Sequence, residues 1–182
     1  MPAGSCSTCP RRANRSGWRF SRPRPVATSP VPTVVMVGGR GVPGNLPEQV
    51  AGVPVGRKAD ALFFLQAARV DQPRNDQDRK ENKQIELAKY VIHYADGKTE
   101  PVPLCLEIDI DSYKQPGGPR PLPGAQVGWV GKYESPEFHA VAYVKQWNNP
   151  RPVVPIASID LVCGKDRRGV PALIAVTAAT AN

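Results

Sequence analysis

Along most of this chain, apolar and polar residues alternate with a period of two, and Pro or Gly cuts the alternation into short runs. The clearest case is residues 89–104, KYVIHYADGKTEPVPL, in which Asp96-Gly97 separates two runs of β-forming residues. Asp-Gly between such runs is a strong hairpin signal. A two-residue loop there predicts that Ala95 pairs with Lys98, Val91 with Val102 and His93 with Glu100. Tyr90, Ile92 and Tyr94 then share a face with Thr99, Pro101 and Pro103. Proline cannot donate to a ladder, so Pro101 and Pro103 place the second strand at a sheet edge.

Further strands are expected at residues 34–37, 49–55, 126–131, 138–147, 155–163 and 172–180. Residues 59–69 (ADALFFLQAAR) read as a buried central strand, although Ala, Leu and Gln would also suit a helix. In residues 138–147, Phe138, Ala140, Ala142, Val144 and Gln146 fall on one side; His139, Val141, Tyr143, Lys145 and Trp147 fall on the other. Residues 105–111 also alternate, with Glu107, Asp109 and Asp111 projecting from one solvated strand face and Ile108 and Ile110 buried. Residues 71–83 read as a charged loop and residues 115–124 as a rigid surface loop. The sum is an all-β chain of about eight or nine strands, a two-sheet antiparallel sandwich or jelly roll.

Composition agrees: 21 Pro and 16 Gly in 182 residues favour many turns and few long helices. The net charge of +8 changes the picture only at one end. Residues 1–47 carry seven Arg and no acid, so the 24 basic residues less these seven leave 17 against 16 acids in the remainder. The basicity belongs to a Pro/Arg/Ser-rich leader, residues 1–32, whose low apolar content predicts disorder. Trp18 and Phe20 lie within it, so nucleic acid is a partner only through this tail. No apolar run is long enough for a membrane span, and no signal-peptide h-region follows the basic start.

Chemical motifs are sparse. Cys6 and Cys9 form a CxxC without the second pair that zinc requires, and Cys105 and Cys163 stand singly in apolar strands as small core residues or a buried disulfide. The glycines from Gly38 to Gly44 lack the flanking strand and helix of a phosphate loop. His93 and His139 have no nucleophile at motif spacing, and His93 reads as a cross-strand partner of Glu100. The acids at 107–111 match no calcium-loop template. No cofactor, metal or catalytic residue is expected. Trp129 and Trp147 sit near strand ends beside Gly or Asn-Pro loops, where an indole can stack on a sugar ring. Arg151 lies in the turn after Trp147, and these three are the candidate ligand-binding residues.

Six stretches together carry a resemblance: VPVGRKADALFFLQAA, the 90–104 hairpin, VGWVG, WNNPRP, IASIDLV and PALIAVTAAT. Their order resembles a bacterial galactose-binding-like jelly-roll module, an accessory domain of exported or surface proteins. The resemblance covers about residues 33–180 and implies the fold, with export or surface location implied by context alone. The expectation is a leader over 1–32 and a jelly-roll sandwich over 33–181 acting as a non-catalytic binding module, with carbohydrate the first ligand class. The alternative is a structural or protein-interaction sandwich without a small ligand, and a glycoside hydrolase ranks below both.

Overall fold

The structure, a computed structural model, describes residues 34–38 and 46–180. The 1–32 leader with Cys6, Cys9, Trp18 and Phe20, and most of the 38–44 glycine run, lie outside the described residues. Within them are ten strands and one short helix: β1 (Val35–Met36), β2 (Gln49–Arg57), β3 (Ala61–Val70), α1 (Asp76–Lys80), β4 (Glu86–Tyr94), β5 (Thr99–Cys105), β6 (Lys114–Pro116), β7 (Gln126–Lys132), β8 (Phe138–Asn148), β9 (Ile156–Cys163) and β10 (Gly169–Ala179). No helix among them is long and apolar enough to cross a membrane.

All strand pairs are antiparallel and form two sheets. The first runs β1-β10-β3-β8, with β6 continuing the β3 side of β8 and β7 on the other side; the second runs β2-β9-β4-β5. The chain passes between the sheets after β1, β2, β3, β5, β8 and β9. With β6 and β7 set aside as additions, this is the strand order of a jelly roll.

The core forms where the sheets face each other. Leu62 and Phe64 of β3, Tyr90 and Ile92 of β4, Leu104 of β5, Ile159 and Leu161 of β9 and Leu173 of β10 are all buried. Phe64 and Tyr90 stack with centroids 4.2 Å apart and 11° between planes. Tyr90 brings a hydroxyl into this core, and Gln66 accepts it at 2.7 Å while donating to the Asp109 carbonyl at 2.9 Å. A buried glutamine with both amide atoms partnered is the condition under which polar groups survive burial. The central place of β3 and the edge place of β5 agree with the sequence reading.

Four expectations are corrected. The hairpin loop holds three residues: Tyr94 N–H donates to the Lys98 carbonyl at 2.9 Å, and Gly97 takes φ = +84°. Glycine supplies the left-handed residue that a three-residue loop requires. The pairing is therefore Tyr90↔Val102, Ile92↔Glu100 and His93↔Thr99, one residue from the predicted register. A one-residue slip exchanges the faces, so Val102 and Leu104 are buried while Pro101 and Pro103 face solvent.

His93 consequently does not face Glu100. Its Nε2 lies 2.9 Å from Asp160 Oδ2, on neighbouring β9. Residues 105–111 do not continue as a strand either. Glu107 has φ = +64°, and the Asp109 N–H turns back to the Cys105 carbonyl at 2.8 Å. This turn draws Asp109 and Asp111 inward, where Lys145 Nζ meets Asp109 Oδ1 at 2.5 Å and Arg120 Nη1 approaches Asp111 Oδ2 at 3.3 Å. Finally, the 71–83 segment contains α1, capped by Asn75 and anchored by the Asp78–Arg168 pair at 2.7 Å. Cys105 and Cys163 are free thiols, half-buried.

Candidate functional site

The two faces of the first sheet differ in what they meet. Inward-pointing Leu62 and Phe64 pair laterally with Trp147 and Lys145 of β8. The alternate positions point away from the second sheet: Phe63 and Leu65 on β3, Ala140, Ala142, Val144 and Gln146 on β8, Ala172 and Ala175 on β10. This outer face is apolar and made largely of small residues. Arg69 at its end is held by Asp71 at 2.7 Å, and Lys114 is the other charge on it. The charge-free outer side of β8 is visible in the sequence as the Phe138–Gln146 alternation. Its partner β6 is not, because β6 reaches β8 across the intervening β7 only through tertiary pairing.

Trp129 is the most exposed aromatic on this face. It pairs with Ala142 across a bulge at Gly128, and 55% of its surface is open. The ring lies over Gly131, where a Cβ would come within 2.2 Å of its far edge. Glycine at this position is what leaves room for the end of the indole. Gly128 has a matching role, since a Cβ there would meet Val144 and Leu65 at 2.5 and 3.0 Å.

On the side of Trp129 toward Gln126, the face opens into a groove of about 460 Å³. Phe63 and Val144 line it along with Leu122 and Ala125, and Gln126 and Gln146 supply amides. On the other side is an aromatic group that the sequence reading missed. Tyr113 and Tyr133 have centroids 6.2 Å apart, and Tyr133 meets Phe138 edge-on at 6.3 Å. Lys114 Nζ lies 4.1 Å from the Phe138 centroid and 4.9 Å from that of Tyr133. The Tyr113 hydroxyl is held above its ordinary pKa, first by its hydrogen bond to Tyr133 and then by burial. The Tyr113 phenol therefore stays a neutral hydrogen-bonding group at physiological pH.

The other two predicted site residues lie elsewhere. Trp147 points inward and packs against the main core, so it is not an exposed platform. Arg151 pairs with Asp96 in the β4–β5 turn, with Nη1 3.1 Å from Oδ1, and its guanidinium stacks 4.6 Å above Tyr94. The Arg151 hydrogen bond holds the Asp96 carboxyl down at a pKa of about 2. Tyr94 in turn donates to Asn149 at 2.5 Å. Arg151 thus ties two loops together, and the structure does not bring Trp129, Trp147 and Arg151 into one site.

Glu107, Asp160 and His93 form structural contacts. Glu107 is surrounded by Arg79 at 2.8 Å, Arg74 at 3.8 Å and Arg120 at 3.9 Å. Asp160 accepts from Gly52 N–H and Gln49 Nε2, both at 2.9 Å, besides facing His93. Burial pushes its pKa up, but these hydrogen bonds outweigh that and hold it below the ordinary value. His93 and His139 stand on different sheets. Among the described residues no group of three or more His, Cys, Asp or Glu is arranged to hold a metal ion.

No protein-family model matches the chain, and no curated protein is significantly similar to it.

Proposed function

We propose that this domain is a non-catalytic carbohydrate-binding module whose ligand lies on the outer face of the first sheet. The observation that carries the reading is Trp129, more than half exposed, with the end of its ring against Gly131, on a face whose neighbours are apolar. An indole seated this way offers its π-face to the C–H side of a pyranose ring, and exposed apolar area of this kind is a mark of binding surfaces. Phe138 and Tyr133 extend the aromatic surface, and Gln126 and Gln146 offer donors and acceptors for sugar hydroxyls beside the groove. A galactose-binding-like jelly roll used as an accessory module is the family setting that this reading fits.

The test is binding to an immobilised glycan panel by the full chain and by Trp129→Ala. The reading expects binding to at least one glycan class and its loss in Trp129→Ala. Binding that Trp129→Ala leaves unchanged would sink it.

A further inference from the structure

We propose that the glycan recognised here is anionic, bearing a carboxylate or sulfate, and that Lys114 is the residue that reads its charge. This deepens the carbohydrate reading and rests on it.

About half of the Lys and Arg side chains among the described residues are already committed to acids. Arg69, Arg79, Arg120, Lys145, Arg151 and Arg168 each lie close to a carboxylate. No ion pair among the described residues includes Lys114. The exposed acids of the neighbouring loop, Glu134 and Glu137, do not pair with it. Its ammonium is instead steered by the faces of Phe138 and Tyr133. Cation–π contacts orient a cation without neutralising it, so its charge remains available to a ligand.

The position matters as much as the charge. Lys114 pairs with Ala140, and Ala140 pairs on its other side with Gly131, the residue under the Trp129 ring. Two strand spacings, about 10 Å, separate the indole seat from the lysine strand. A sugar stacked on Trp129 therefore places its neighbour in the chain beside Lys114, on a face whose other strand positions carry almost no charge. An ammonium there distinguishes an acidic sugar from a neutral one of the same shape.

The test is calorimetric titration of the full chain with three probes: trigalacturonic acid, its methyl ester, and a sulfated oligosaccharide of similar length. The acid is expected to bind about fivefold tighter than the ester in low salt, the upper range for an exposed ion pair. The preference should vanish in Lys114→Met, survive in Lys114→Arg and shrink as salt is raised. Tighter binding of the sulfated probe than of trigalacturonic acid identifies sulfate as the group read. Equal binding of acid and ester with no gain for the sulfated probe, or a preference that persists in Lys114→Met, overturns the role of Lys114; Trp129-dependent binding would then still leave the platform standing. Absence of binding by all three probes overturns this inference, and failure across the wider glycan panel removes the platform reading with it.

Discussion

Gly131→Ala separates the fold from the proposed binding platform with a single methyl group. Gly131 is not among the residues at positive φ, so alanine fits its backbone. The added Cβ would lie 2.2 and 2.6 Å from two ring carbons of Trp129, closer than atoms can approach. What must move is the far end of an exposed side chain, so stability should change by no more than about 0.5 kcal/mol. The indole, however, loses its seat against residue 131. Trp129 is 55% exposed, and for a ring system of roughly 250 Å² that leaves about 140 Å² open. A stacked sugar covering half of this removes about 70 Å² from water, worth about 1.7 kcal/mol at 25 cal/mol per Å², or nearly twentyfold in affinity. Gly131→Ala should forfeit most of that factor. Urea unfolding reports stability, and ¹⁹F NMR of 5-fluorotryptophan-labelled protein reports the environment of Trp129 separately from Trp18 and Trp147. An unmoved Trp129 resonance together with unchanged glycan affinity would refute the reasoning.

Other expectations concern the scaffold. Gln66→Ala strands the buried Tyr90 hydroxyl and the Asp109 carbonyl, and should cost about 2–4 kcal/mol in urea unfolding. Trp147→Ala should lower stability by about 2 kcal/mol or more without altering glycan specificity, since that indole packs in the core. Asp160 has a depressed pKa in the folded state, so its contribution is complete above the unfolded carboxylate value of about 4 and is lost as pH falls through the folded value. Melting temperature should therefore fall more steeply with acid in the native protein than in Asp160→Asn below about pH 4.5. Equal slopes would contradict the Gly52, Gln49 and His93 contacts as the source of that shift.

The local pattern revealed every strand but β6, which begins the segment read as a surface loop, together with the buried centre at β3 and the edge at β5, because burial on one face imposes alternation and proline excludes an inner position. It did not reveal quantities decided by a single backbone torsion. Gly97 at positive φ lengthens the hairpin loop by one residue and reverses which residues of β5 face the core. Glu107, also at positive φ, ends what looked like an acidic strand, and the partners that draw Asp109 and Asp111 inward, Lys145 and Arg120, lie far along the chain. The site was partly legible for a similar reason. An exposed Trp129 beside glycines could be anticipated from its setting, whereas Tyr113, Tyr133, Phe138 and Lys114 gather only because β6 and β8 pair and the chain leaving β7 returns beside them. Trp147 had the same sequence signature as Trp129, but its parity on β8 turns it inward.

The central claim is that the outer face of the first sheet receives the ligand. The most direct measurement is a ¹H–¹⁵N correlation titration of the full chain with a glycan selected from the panel. Perturbations are expected to concentrate at the Trp129 indole, Gly131, Ala140, Lys114 and Gln126, with the second sheet undisturbed. Perturbations confined to the outer face of β2, β9, β4 and β5, or to the Arg151–Asp96 turn, would contradict it.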